Sequence, residues 1–348
     1  MHITFGKSFI DLQKVYYIAL CALGIPGNLF AIYIICCRAC SFSKTTTIYL
    51  TALAVSDTVC LIWAAILNLT KLWLGPNARW VYTPWWCISI ILEYGTILCS
   101  VWIIMAFTIE RYIVLTNKRL KYHISKPKNA LWAVAAVVIL SYLSALLAFL
   151  MNKFRRPTES RSILANYTSH WHGECALFNN TYFSTTIWLQ TVISGGVPYL
   201  LILIFSVLIA YRLHTKTKIH SEFENTTFKI TRIKIKKSLQ ILLVVSFTAV
   251  ALGLPRFISE CLPNDSGGVN YFDYNTVANM IPDILFMLQW FNSAINFWLF
   301  SSASSAFRQE CVAILTSHVC KKQTSKTVAI VPVDTLKTVF RNNSCCTE

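Results

Sequence analysis

Residues Trp85–Leu115 read WWCISIILEYGTILCSVWIIMAFTIERYIVL, and within them the only charged residues are Glu93, Glu110 and Arg111. A helix crosses the hydrocarbon of a bilayer with roughly 20 apolar residues. This run is longer than that, and two of its three charges sit at one end. It reads as a membrane span whose last turn emerges at an interface. Outward from it lie further blocks of the same kind. Val15–Cys37, Asn129–Met151 and Thr181–Tyr211 carry no charge at all. Thr45–Thr70 carries only Asp57, Ser238–Ser259 only Arg256, and Thr276–Phe300 only Asp283. The chain therefore reads as all-α, a bundle of seven transmembrane helices over 15–300. Residues 1–14 form a short outer N-terminus, 301–316 an amphipathic eighth helix, and 317–348 a cytoplasmic tail without fixed structure.

Composition agrees with that reading. Of 348 residues, 55% are hydrophobic and 13% charged, where soluble domains hold ~25% charged. The formal net charge is +16, which suits either nucleic acid or the anionic face of a membrane. Its distribution decides between the two. With the N-terminus outside, the inner segments carry 21 Lys and Arg and the outer segments 8. The net charge is then +16 inside, +2 outside and −2 within the spans. Basic residues collect on the cytoplasmic side of membrane proteins, so the excess is a topology signal. Nucleic acid is not an expected partner; membrane lipid is. Glycosylation sequons at Asn166, Asn179 and Asn264 fall in the outer segments, where glycans are added. No cleavable leader precedes the first block, which would serve as a signal anchor. The expected location is the plasma membrane, as a multi-pass protein.

Thirteen cysteines do not make a disulfide framework, because most lie in the spans or inside. Cys87, Cys175 and Cys261 lie in or beside the outer segments, where oxidation is expected. A Cys87–Cys175 bridge would pin the second outer loop over the bundle, leaving Cys261 over. Cys36, Cys37 and Cys40 at the inner edge, and Cys311 and Cys320 beside the eighth helix, are candidates for S-palmitoylation, against the plainer reading of reduced thiols. No spacing suggests a zinc site.

Ionisable groups inside a membrane are costly and mark function or structural pairing. Asp57 lies midway along the second block, with Ser100, Asn292, Ser293, Asn296 and Asn28 as candidate partners. One carboxylate among hydroxyls and amides can hold a sodium ion or close a hydrogen-bonded structural network. Beyond sodium as an allosteric ligand, no cofactor is expected. Glu110-Arg111-Tyr112 can pair at the inner end of the third helix, or Arg111 can snorkel to phosphates. Glu93 stands 18 residues earlier, ~27 Å higher on a helix. Arg256 and Asp283 fall at a similar outer depth. With Tyr94, Phe257 and Trp290 they outline a ligand pocket carrying both signs of charge and aromatic walls. A Glu93–Arg256 ion pair or a local Arg256–Glu260 pair are the structural alternatives.

Taken together these residues resemble a rhodopsin-like (class A) G-protein-coupled receptor over residues 13–315. The resemblance rests on Gly27-Asn28, Leu53-Ala54-Val55-Ser56-Asp57, Cys87, Glu110-Arg111-Tyr112, Trp132, Cys175 and Pro198. Pro255, Asn292-Ser293-x-x-Asn296 and Phe307-Arg308 complete it. Leu254-Pro255-Arg256 and Ser100-Val101-Trp102-Ile103 are similar to a smaller orphan branch sensing aromatic amino acids or short peptides. The resemblance implies an outside ligand, a heterotrimeric G protein as the inner partner, coupling through Glu110, Arg111 and Tyr112, and a hinge at Gly253 and Pro255.

Several positions depart from the family pattern. Gly253 stands where a tryptophan usually precedes the helix-6 proline. Asn296-Phe297-Trp298-Leu299-Phe300 lacks the usual proline and tyrosine. Ser206 replaces the helix-5 tyrosine, and Ile235 stands where an acid is common at the foot of helix 6. Cys87 is 24 residues before Arg111, one fewer than usual. A receptor-fold protein that does not couple is therefore the alternative reading, with a transporter or channel behind it. Enzymatic motifs such as His-Glu-x-x-His, Gly-x-Ser-x-Gly and the P-loop are missing from the sequence, so no enzyme activity is expected.

Overall fold

The computed structural model describes residues 2–38, 42–74, 84–154, 192–219, 226–261, 277–314 and 316. Apolar blocks in lipid must satisfy every backbone N–H and C=O internally, which leaves the helix as the form available to a single segment. Each block above is accordingly helical over its described part. In chain order the helices are α1 (His2–Cys37), α2 (Lys44–Ala64), α3 (Thr70–Leu74), α4 (Pro84–Thr116) and α5 (Lys118–Ile124). They continue with α6 (Pro127–Phe154), α7 (Val197–Ile219), α8 (Thr226–Cys261), α9 (Val277–Ala294) and α10 (Asn296–Ala303). A final helix, α11, covers 305–314. Short π-helical turns, Ala65–Leu69 and Val192–Gly196, join α2 to α3 and open α7. Such turns concentrate at functional sites. Among the described residues six helices are long and apolar enough to cross a membrane: α1, α2 with its π-turn, α4, α6, α7 and α8. The seventh crossing is α9 and α10 together.

The boundaries differ from the sequence expectation in three places. Residues 2–14 are the outer end of α1 and not a separate segment. The seventh block is interrupted at Ile295, with φ −95° and ψ 1°, although no proline stands there. The eighth helix starts after Ser304, whose hydroxyl accepts from Phe307 N–H at 3.2 Å. The sequons Asn166, Asn179 and Asn264, Cys175, Cys320 and the side chain of Cys87 lie outside the described residues.

α4 sits at the centre of the bundle, against α2, α6, α7 and α8. α1 packs on α2, α9 and α10, and α8 on both α7 and α9. Helix association in lipid depends on close packing and buried polar contacts more than on hydrophobicity. Both are present. Gly24 lets α1 approach so closely that a Cβ there would lie 2.6 Å from Leu61 Cδ1 and 2.7 Å from Ala294 Cβ. α6 contributes least to the interior: Trp132, Leu131 and Ile139 are exposed toward lipid. α11 is fastened by Phe307, wholly buried against Phe297 and Phe300 at ring distances of 5.8 and 6.0 Å. Arg308 Nη1 donates to the carbonyls of Ser301 and Ser302 at 2.7 and 2.9 Å, capping the end of α10. Arg38 pairs with Glu310 at 3.0 Å, tying the inner end of α1 to α11.

Candidate functional site

Three levels of the bundle carry polar chemistry. At mid-depth, Asp57 is 1% exposed and both carboxylate oxygens are engaged. Oδ1 accepts from the Ser100 hydroxyl at 2.8 Å, and Oδ2 from Asn296 Nδ2 at 2.5 Å. Ser56 bonds Ser100 at 2.9 Å, and Asn28 Nδ2 donates to the Ser293 carbonyl at 2.8 Å. The network therefore joins α1, α2, α4, α9 and α10. The break at Ile295 places Asn296 to reach Asp57, since it begins the helix that follows. Asn292 stands nearby in the wall of an adjoining cavity.

At the inner end, Glu110 and Arg111 are each 5% exposed and form an ion pair, Arg111 Nε to Glu110 Oε2 at 2.7 Å. Arg111 Nη2 donates to the Thr45 hydroxyl on α2. The guanidinium also lies 5.2 Å from the Phe107 ring centroid, and Phe107 stacks on Tyr49 at 5.0 Å. Arg111 is therefore folded inward and not snorkelling. Tyr112 turns the other way, toward Phe205 of α7 at 5.1 Å. The foot of α8 is held by hydroxyls. Thr46 and Ser238 bond at 2.9 Å, and Thr108 and Ser246 at 3.3 Å. Ser43 caps α2 beside this point, accepting from Thr46 N–H at 3.2 Å. Sequence reasoning did not single out Thr45, Thr46 or Ser238. Their only signal was a cluster of hydroxyls at the start of the second block.

Toward the outer side, α4, α7, α8 and α9 enclose a cavity of about 70 Å³. Tyr94, Arg256, Phe257, Phe286 and Gln289 line it. The Arg256 guanidinium lies 5.1 Å from the Phe286 ring centroid, and its Nη1 donates to the Pro282 carbonyl at 3.4 Å. Glu93 is buried on α4 but outside the walls of this cavity. Trp290 is 1% exposed and lies one level deeper, edge-on to Phe286 at 5.4 Å. It lines the second, smaller cavity of about 20 Å³, beside Asn292 and Ser293. Asp283 accepts from Gln13 Nε2 of α1 at 3.1 Å and does not line either of these two cavities. Helix rotation places it on the α1 side of α9, beside the Tyr16 hydroxyl that donates to the Met287 carbonyl at 2.5 Å.

Cys311, one of the palmitoylation candidates, packs beneath the eighth helix. It is 9% exposed and belongs to the core seam under α11. Burial pushes its thiol pKa up, with a Ser301 hydrogen bond opposing. Cys36 and Cys37, in contrast, are exposed at the inner edge.

Residues 27–300 match the sequence model for the 7 transmembrane receptor (rhodopsin family) group. The chain belongs to this family. The receptor is also 37% identical over 101 residues to the thyrotropin-releasing hormone receptor of Mus musculus, covering 29% of this chain and 25% of that one. It is 26% identical over 254 residues to a purinoceptor of Mus musculus, covering 72% of this chain and 62% of that protein. A probable G-protein coupled receptor of Caenorhabditis elegans is 20% identical over 298 residues, 83% of this chain and 66% of the other. The match to the hormone receptors thus spans about a quarter of their length. The receptor is a multi-pass protein of the plasma membrane.

Proposed function

We propose that the receptor binds a small polar-aromatic ligand or a short peptide from outside and promotes nucleotide exchange on a heterotrimeric G protein. The observation that carries this reading is the buried Glu110–Arg111 pair at the inner end of α4. In that position the pair closes a docking face that opens when α8 swings away. The relatives named for a releasing hormone and for purines favour ligands of modest size with polar groups. Arg256 supplies a cation to the outer cavity, and Tyr94, Phe257 and Phe286 supply aromatic surface. A ligand with higher affinity for the open bundle shifts an equilibrium that already exists.

Asp57, Ser100 and Ser293 offer one negative charge and neutral oxygens, a hard-donor set suited to a monovalent cation such as sodium. A bound cation would offset the buried charge of Asp57 and favour the closed bundle.

The pocket reading gives a direct expectation. Arg256→Ala should weaken ligand potency about tenfold or more, since hydrogen bonds to a charged group contribute ~1.5–3 kcal/mol. Glu93→Gln should weaken it less, because Glu93 stands behind the cavity wall. Ligand potency measured against surface expression checks this. Equal loss of both for either variant would assign that residue to structure alone.

The hydroxyl fastening gives another. Thr46→Val removes the bond to Ser238, worth ~1 kcal/mol. Ligand-independent nucleotide exchange in membranes should rise about fivefold. Unchanged basal exchange at equal expression would show that α8 is held elsewhere. The non-coupling alternative is favoured by Ser206, which is 1% exposed where the family usually has tyrosine. Failure of exchange with every G-protein class, at normal surface expression, would decide for it.

A further inference from the structure

The glycine at 253 looks like a loss in sequence, because a large aromatic is usual there. The structure fills the place from the neighbouring helix. A Cβ on Gly253 of α8 would overlap the Tyr199 hydroxyl and lie 2.6 Å from Tyr199 Cζ on α7. The opposite arrangement occurs one turn outward. A Cβ on Gly196 would lie 2.7 Å from Phe257 Cζ, and one on Gly195 would lie 3.1 Å from Phe257 Cδ2. Each helix thus presents a glycine followed four residues later by an aromatic: Gly195 and Tyr199 on α7 with its opening π-turn, Gly253 and Phe257 on α8. The helices run antiparallel, so each aromatic seats on the other helix's glycine. The two rings lie 6.5 Å apart at 54°.

Pro255 sits between the two seats on α8. A proline removes one backbone hydrogen bond and makes that turn the natural place to bend. Bending there changes the angle between Gly253 and Phe257. A change in that angle disturbs both seats at once, so the two contacts are coupled to the bend of α8.

Its location connects it to both chemistries of the receptor. Tyr199 and Gly253 line the outer cavity and also the smaller cavity beneath it. The outer cavity holds Arg256 and Phe257. The inner one is bounded by Ser100 and Ser293 of the mid-depth network. The Tyr199–Gly253 contact is therefore a shared wall between ligand space and the Asp57 network.

We infer that the reciprocal seating of Tyr199 on Gly253 and Phe257 on Gly195–Gly196 is the switch that converts occupancy of the outer cavity into bending of α8 at Pro255. Tyr199 does from α7 what a tryptophan on α8 would otherwise do. The inference rests on the receptor reading above, and Tyr199 acts as a positioning residue.

The test uses the full chain in lipid nanodiscs, with spin labels at Arg119 and Gln240 reporting the separation of α5 from the inner part of α8. Gly253→Ala must unseat Tyr199. It should lengthen the label distance without ligand, and raise basal exchange about tenfold, or about 1.4 kcal/mol on the two-state equilibrium. Adding Tyr199→Ala, which makes room for the new methyl, should return the distance toward that of the parent. Tyr199→Phe, which keeps the ring and removes the hydroxyl nearest Gly253, is the milder variant should Gly253→Ala fail to fold; it should leave the aromatic seated and shift the distance little. Phe257→Ala empties the other seat and should lengthen it. A longer distance without any exchange would support the switch and overturn the coupling reading. A parent-like distance in both Gly253→Ala and Phe257→Ala, or in Phe257→Ala alone where the former does not fold, would overturn the switch.

Discussion

Arg111→Ala is expected to abolish ligand-stimulated nucleotide exchange, and a variant retaining full exchange would remove the basis of the assignment. The side chain is buried between Glu110, Thr45 and the Phe107 ring. An outward movement of α8 would expose this buried cation to a docking partner. Truncation also strands Glu110 as a buried carboxylate. Removing one member of a buried ion pair typically costs ~3–5 kcal/mol, so thermal stability in detergent should fall as well. The companion variant separates the two effects. Glu110→Gln keeps the shape, releases Arg111, and should raise basal exchange where Arg111→Ala eliminates it. Opposite signs from two halves of one ion pair are not expected if the pair serves stability alone. Exchange on purified G protein, normalised to receptor number, measures both.

Gly24→Val should produce the largest loss of stability among single substitutions in the outer half. The new side chain would meet Leu61 and, at 2.9 Å, the Ala294 Cα. A backbone atom cannot step aside as a flexible side chain can. Overpacking at such a site costs about 3 kcal/mol, and more if α1 is pushed from α9. The Asn28 bond to the Ser293 carbonyl lies one turn further along and would be strained with it. Gly27→Ala is the control. Its Cβ would meet Phe297 Cβ at 3.4 Å, an ordinary contact, and its melting temperature should stay close to the parent's. Equal melting temperatures for the two variants would show that α1 packs less closely than described.

Much of the architecture was legible in the sequence because the bilayer imposes lengths and sidedness. The blocks and the Glu110–Arg111 pair followed from counting residues and locating charges. The Asp57 network was legible to the level of partners: Ser100 and Asn296 do bond it. What escaped was rotation about each helix axis. In a soluble protein the polar face reveals the buried one, but here lipid and interior are both apolar. Trp132 and Trp290 look alike in sequence, yet one is 67% exposed and the other 1%. The same ambiguity hid the hydrogen bond between Asp283 and Gln13 of α1. It also hid Tyr199, since nothing local links it to Gly253, 54 positions away. The burial of Cys311 was equally hidden, because an amphipathic pattern does not say which side of α11 meets the bundle.

The fastening of α8 to α2 has a consequence for the receptor at rest. It consists of neutral hydroxyls, Thr46 and Ser238, bonded directly to one another. Counter-ions screen charges and leave uncharged hydrogen bonds largely untouched. Hydroxyls of serine and threonine also keep their protons throughout the physiological pH range. The share of the resting restraint that this fastening supplies should accordingly be insensitive to ionic strength and to cytosolic acidification, so that any such dependence of the resting noise reports the Glu110–Arg111 pair or the Asp57 network instead.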